Sequence, residues 1–78
     1  MTSEEIRKIV IFHRMKAKLI QKQLADLAGV GKTVVFDIEK GKETVQLNSL
    51  LKVLSVLNIK LEMKSPLMHL MENQDEES

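Results

Sequence analysis

The sequence predicts a small all-α domain, and three observations lead to this fold class. Apolar side chains recur at helical spacing in four separate stretches of the 78-residue chain. Gly29 and Gly41 each follow such a stretch, at positions where a residue without Cβ ends a helix at little cost. The composition is that of a helical globule, with 44% hydrophobic and 3% aromatic residues. A chain of this length is expected to form one domain with one core.

The segment from Gln21 to Lys42 contains two short helical patterns joined by a sharp turn. The first pattern starts at Gln21 and ends before Gly29, with an apolar face made of Leu24, Ala25, Leu27 and Ala28. The second is predicted over 32–40 and presents Val34, Val35 and Ile38 to the core. The small Ala25, four residues before Gly29, allows the two helix backbones to approach. This arrangement is typical of a helix-turn-helix.

The string LIQKQLADLAGVGKTVVFDIEKGK resembles the Xre-type helix-turn-helix of lambda-like phage repressors and bacterial antitoxins. Its continuation, TVQLNSLLKVLSVLNIKLEM, is similar to the HipB-type antitoxins, in which a short strand follows the helices. The resemblance covers residues 6–63. It implies a lambda-repressor-like bundle of four to five helices, with one C-terminal β-strand that pairs across a homodimer. It also implies an antitoxin that binds operator DNA, represses its own operon and binds a HipA-like kinase toxin.

Helix 1 is predicted to start at Thr2 or Ser3 and to run to about Ala17. Its core stripe contains Ile6, Val10 and His13, and we interpret His13 as a partly buried core residue rather than a ligand. The helix carries more apolar residues than one stripe can bury. The surplus is chiefly Ile9, Phe12 and Met15. These residues either widen the core or form a surface for a protein partner.

Arg14 and Glu39 are charged residues among core-forming neighbours, on helix 1 and helix 3 respectively. A charge that is even partly buried needs a partner. The resemblance implies that these two form a structural ion pair. The alternative is that they are two solvated surface charges.

The outward face of helix 3 is the predicted DNA-reading surface. It consists of Lys32, Thr33, Phe36, Asp37 and Lys40. Residues at the start of such a helix reach base edges in the major groove. A lysine can donate to guanine, and a threonine can contact a thymine methyl. Phe36 packs either on a thymine methyl or on the core beside helix 4.

Two further groups are predicted to contact the phosphate backbone of duplex DNA. Gln21 lies at the N-terminus of helix 2, where backbone N–H groups and the helix dipole favour an anion. Lys40, Lys42 and Thr44 surround the turn at Gly41, and two ammonium groups with a hydroxyl suit a phosphate.

The C-terminal third is predicted to contain helix 4, rich in leucine, and then a single strand over 59–64. Ile59, Leu61 and Met63 alternate with charged residues, which is the period of a half-buried strand. A lone strand needs a partner for its backbone, so these three residues are assigned to a homodimer interface. Residues 1–64 thus form the DNA-binding domain with its dimerising strand. Residues 65–78 are expected to give a short helical turn and then an acidic tail without regular structure.

Charge and composition exclude several classes of function. Residues 1–64 hold all 12 Lys and Arg against 7 Asp and Glu, a net +5, whereas 65–78 carry four acids and a net −4. A basic body suits nucleic acid. The chain has no cysteine and two distant histidines, so no metal site is predicted. We expect no cofactor, no membrane segment and a cytoplasmic location.

No constellation of catalytic residues is present in the sequence, and we predict a protein that is not an enzyme. Three functions remain open at this stage. The first is a DNA-binding antitoxin with a HipA-like kinase partner. The second is a stand-alone Xre-family transcriptional regulator without a toxin. The third is a protein-interaction module that kept this fold and lost DNA binding.

Overall fold

The computed structural model describes residues 1–77 and contains five helices. They are α1 (Ser3–Lys16), α2 (Gln21–Ala28), α3 (Lys32–Glu39), α4 (Leu47–Val56) and α5 (Met68–Glu77). No strand occurs within the described residues. The all-α class and the count of helices agree with the prediction from sequence, and α3 ends one residue earlier than predicted.

Specific residues mark where α1 begins and where α2 and α3 end. The Thr2 hydroxyl caps α1 by accepting a hydrogen bond from the Glu5 backbone N–H at 3.1 Å. Gly29 adopts φ +70° after α2, and the next N–H, that of Val30, donates back to the Ala25 carbonyl oxygen at 3.0 Å. Gly41 has φ +81° after α3, and the Lys42 N–H donates to the Asp37 carbonyl oxygen at 3.0 Å. Both are left-handed stops that glycine makes at the lowest cost.

The core is built from α1 to α4, which pack in the pairs α2–α3, α1–α3, α2–α4 and α3–α4. Its buried apolar residues are Val10, Leu24, Ala25, Val35, Ile38, Val53 and Leu54. Ala25 is 1% exposed at the corner between α2 and α3, where only a small side chain allows the helices to come close. This packing fixes α3 against the rest of the bundle while leaving its opposite face in solvent.

The strand predicted over 59–64 is not formed in the single chain. Ile59 and Leu61 pack against the core, whereas Met63 is 81% exposed. Within residues 1–77, the N–H and C=O groups of residues 60–64 have no backbone hydrogen-bond partner. A ladder requires a second strand, and the described part of the chain supplies none.

The C-terminal segment is more regular than predicted. Instead of one helical turn, α5 continues from Met68 to Glu77; Ser78, the last residue of the predicted tail, lies outside the described residues. Methionine, glutamate and glutamine are good helix formers, which explains why the helix extends into the acidic segment. None of the principal helix–helix contacts involves α5. Among residues 1–77, no helix is long and apolar enough to cross a membrane.

Candidate nucleic-acid interface

Arg14 and Glu39 form a two-point ion pair that joins α1 to the end of α3. Arg14 Nε donates to Glu39 Oε2 at 2.6 Å, and Arg14 Nη2 donates to Oε1 at 2.9 Å. Arg14 Nη1 donates to the Leu19 carbonyl oxygen at 2.8 Å. The side chains are 17% and 5% exposed, so the pair is shielded from water. Two parallel bonds between a planar guanidinium and a carboxylate fix orientation as well as distance.

The contact with Glu39 favours the charged form of Arg14. The hydrogen bonds that Arg14 donates to Glu39 raise the pKa of the guanidinium above its ordinary value, against the smaller opposing effect of burial. The guanidinium therefore stays protonated in the physiological range. The helix that carries the predicted reading face is held at its C-terminal end by this contact with α1.

Gln21 belongs to the same cluster of side chains. Its Nε2 donates to Glu39 Oε1 at 3.1 Å, and the residue is half-buried. The glutamine predicted to contact phosphate thus uses its side-chain amide inside the protein, where it supports Glu39. The N-terminus of α2 is instead organised by Gln23, whose Oε1 accepts a hydrogen bond from the Ile20 N–H at 2.9 Å. Spacing in the sequence could not reveal this cluster, because it joins three different helices.

The N-terminal end of α3 presents Lys32 and Thr33 to solvent. Gly31 precedes them as the N-cap and has no side chain to contact the helix N–H groups. The first turn of α3 is therefore open to an approaching ligand. Val35 and Ile38 bury the opposite face, so the exposed side of this helix is determined by the core.

The middle and end of the same face contain two pairs of side chains. Lys40 Nζ lies 5.1 Å from the centre of the Phe36 ring, a cation–π contact. Phe36 is 46% exposed and is absent from the core cluster, which excludes the core position considered from sequence. Lys42 Nζ lies 3.6 Å from the Asp37 carboxylate. Both lysines of the predicted phosphate clamp therefore have an intramolecular partner within the described residues.

Thr44 is exposed in the loop that follows α3. Together with Asp37 and Lys42 it lines a cleft of about 180 Å³ that reaches Gln46 at the start of α4. Three of the predicted DNA-binding residues thus share one small concavity. The negative charge of the Asp37 carboxylate disfavours an anion in this cleft, and the positive charge of Lys42 offsets it.

A separate apolar patch lies on the outside of α1. Ile9, Phe12 and Met15 are all exposed, so they do not widen the core. The Phe12 and His13 rings form a T-shaped pair with a centroid separation of 5.5 Å, and Lys16 Nζ lies 5.5 Å from the centre of the Phe12 ring. His13 itself is half-buried, and its Nδ1 lies 2.7 Å from the Ile9 carbonyl oxygen of the same helix.

The fold, and the face of α3 that is exposed to solvent, are those of a helix-turn-helix DNA-binding regulator. Comparison with known proteins agrees: the family profile HTH_3, described as helix-turn-helix, matches residues 13–63. The chain belongs to this Xre-type helix-turn-helix family. It is also 35% identical over 65 residues to an uncharacterized HTH-type transcriptional regulator, y4mF, of Sinorhizobium fredii (strain NBRC 101917 / NGR234). That alignment spans 83% of this chain and 86% of the relative.

Proposed function

We propose that the protein is a sequence-specific operator-binding repressor that acts as a symmetric dimer. One observation carries this proposal: α3 is fixed to the bundle through its buried face and the Arg14–Glu39 pair, while Lys32 and Thr33 stand exposed at its first turn. A rigid helix with donors at its N-terminal end suits insertion into the major groove.

Different residues of this surface contact the bases and the phosphates. Lys32 and Thr33 are positioned to contact base edges, and Phe36 adds an apolar surface for a thymine methyl. Lys40, Lys42 and Thr44 bind the phosphates beside the groove, which sets the orientation of α3. The lysines must exchange their contacts with Phe36 and Asp37 for phosphate oxygens when DNA binds.

Dimerisation is assigned to residues 59–64. The backbone groups of residues 60–64 have no backbone partner within residues 1–77, and Ile59 and Leu61 anchor the segment on the core. A second copy related by a two-fold axis supplies an antiparallel neighbour for the same segment. The two α3 helices then face half-sites about one DNA turn, roughly 34 Å, apart.

We further propose that the protein is an antitoxin that binds a HipA-like kinase toxin and represses the operon encoding both. The support is the resemblance of residues 44–63, which contain α4 and the segment after it, to HipB-type sequences, together with the exposed patch of Ile9, Phe12 and Met15 on α1. That patch lies on a different helix from the DNA-reading residues. One dimer would therefore bind the kinase and the operator at the same time.

Selection from random duplex DNA, followed by affinity measurement, tests the repressor proposal. A repressor should select a two-fold symmetric site and bind it at least about 10³-fold more tightly than a scrambled duplex at physiological salt. Binding without selectivity, or no binding at all, would contradict it and favour the interaction module. Co-purification with the product of an adjacent kinase-like reading frame tests the antitoxin role, and its absence leaves a stand-alone regulator.

A further inference from the structure

The last helix has an apolar stripe that the described chain does not cover. Leu67, Leu70 and Met71 are spaced i, i+3 and i+4, and they are 66%, 51% and 53% exposed. The helical turn already begins at Leu67, whose carbonyl oxygen accepts the Leu70 N–H at 3.0 Å. The main helix–helix contacts involve only α1 to α4. The side chains of this stripe therefore do not pack against another helix as those of the first four helices do.

The bundle carries an open apolar groove of about 360 Å³ between the end of α2 and the second half of α4. Leu27 is 63% exposed there and Leu51 is 43% exposed, while Ala28 and Val56 complete the apolar lining. Lys52 stands at the rim. The groove is separate from α3 and from the patch on α1.

We infer that the α5 stripe of each protomer docks in the α2–α4 groove of the partner, so that the two copies exchange their last helices. The inference rests on the proposed strand pairing. In an antiparallel pair, the Lys64 end of one segment lies beside the Ile59 end of the partner's segment. Ile59 follows α4 after Leu57 and Asn58, and its N–H donates back to the Leu54 carbonyl oxygen of that helix at 2.9 Å. The residues that follow Lys64, which lead into α5, therefore lie near the end of the partner's α4, and the groove is beside that end.

The charges of the two surfaces are complementary. Residues 65–78 contain four acidic residues and no Lys or Arg, whereas residues 1–64 carry a net +5. Glu72 follows the apolar stripe directly, and Lys52 borders the groove that receives it. An acidic helix with an apolar face thus fits a groove lined mainly by apolar side chains and by one lysine, and the occupant is a second copy of this chain.

Cysteine cross-linking in the full-length chain tests this placement, because the natural sequence has no cysteine. Leu51→Cys, labelled with ¹⁵N, is mixed with unlabelled Leu70→Cys and oxidised, and the disulfide is identified by mass spectrometry. A mixed covalent dimer joined through positions 51 and 70 is expected. Met15→Cys, whose position on α1 is 64% exposed against 43% for Leu51, serves as the control and should give no bond to position 70.

Two results would overturn the exchange of helices. One is a disulfide formed only between two copies of position 70, which would place α5 against α5. The other is closure of the double variant Leu51→Cys/Leu70→Cys within one chain, which would place α5 on its own groove. In each case the bridged residues identify the actual neighbour of α5.

Sedimentation of full-length point variants separates this inference from the proposed function. Leu70→Asp should weaken dimerisation at least about tenfold, since it places a charge in an apolar contact. His69→Asp, on the opposite side of α5, should leave it unchanged. A parent chain that never dimerises contradicts the strand-paired dimer itself. A parent that dimerises, with Leu70→Asp as strong a dimer as His69→Asp, contradicts only the docking of α5.

Discussion

Arg14 and Glu39 are 25 residues apart in the sequence and meet through two charge-assisted hydrogen bonds of 2.6 and 2.9 Å. The pair connects α1 to the last residue of α3, and Gln21 of α2 adds a third donor to the same carboxylate. Three helices are therefore tied together at the end of the DNA-reading helix.

Removing one member of this pair should destabilise the domain more than losing a surface ion pair. Glu39→Gln is expected to lower the free energy of unfolding by about 3 kcal/mol, because it leaves the Arg14 charge shielded and without a counter-ion. Arg7→Ala, which removes the exposed pair with Glu4, should cost at most about 1 kcal/mol. Urea denaturation measures both. A coupling below a few tenths of a kcal/mol in an Arg14/Glu39 double-mutant cycle would show that the contact contributes nothing.

Lys32 should determine sequence preference rather than overall affinity. Lys32→Ala is expected to reduce discrimination at one base pair of each half-site by about 1–3 kcal/mol, because a lysine at the first turn of α3 donates to a base edge. Competition between the selected operator and single-base variants measures this loss. Equal discrimination by the variant and the parent would show that Lys32 does not read a base.

The Asp37–Lys42 contact should restrain DNA binding. Asp37→Asn removes a negative charge from the surface facing phosphate and releases Lys42, so affinity for any duplex should rise by about tenfold or less, as expected for the loss of one exposed ion pair. Asp26→Asn is the matched control, since Asp26 pairs with Lys22 on α2 at 3.0 Å. If the DNA affinity of both variants rises equally, the change in net charge explains the increase and the Asp37–Lys42 contact does not.

Leu61→Pro should disrupt the dimer. Proline removes an N–H that the antiparallel pairing would use and restricts the backbone of the segment. Leu61→Ala loses a comparable apolar side chain but keeps the N–H, which separates loss of pairing from loss of core packing. Sedimentation equilibrium compares the two. A proline variant that dimerises as tightly as the alanine variant would mean that residues 59–64 do not form the interface.

Phe12 should be needed for a kinase partner and dispensable for DNA. Phe12→Glu places a charge in the centre of the α1 patch, and its exposure means that the fold should tolerate the change. Loss of co-purification with the adjacent kinase-like product, with operator affinity unchanged, is expected. Lys8→Glu, also on the outside of α1, controls for the change in charge. Retained partner binding by Phe12→Glu would exclude the patch as the docking surface.

The sequence predicted the helices and the fold well, for identifiable physical reasons. Gly29 and Gly41 stand where the left-handed conformation is required, and the spacing of Leu24, Val35 and Ile38 specifies which face is buried. Such signals are local, acting within one or two helical turns. Residues whose environment depends on a distant helix, such as Gln21, could not be placed in this way.

The same distinction applies at the C-terminus and on the reading face. Alternation in residues 59–64 indicates an extended backbone but cannot supply the second strand. The apolar stripe of α5 is short and lies in an acidic segment, so it is only a weak signal for a helix. The contacts of Lys40 with Phe36 and of Lys42 with Asp37 depend on side-chain geometry at the end of α3. Spacings of four and five residues permit those contacts without requiring them.

The dependence of DNA affinity on salt tests the central claim most directly, namely that α3 and the loop after it are the DNA-binding surface. Fluorescence anisotropy on one duplex between 50 and 200 mM salt would compare the parent with Lys40→Ala, Lys42→Ala and the control Lys8→Ala on α1. We predict that each of the first two variants binds more weakly and lowers the slope of log K against log[salt] by about one unit, whereas the control matches the parent. Slopes unchanged in Lys40→Ala and Lys42→Ala, or reduced equally in Lys8→Ala, would contradict the assignment of this surface.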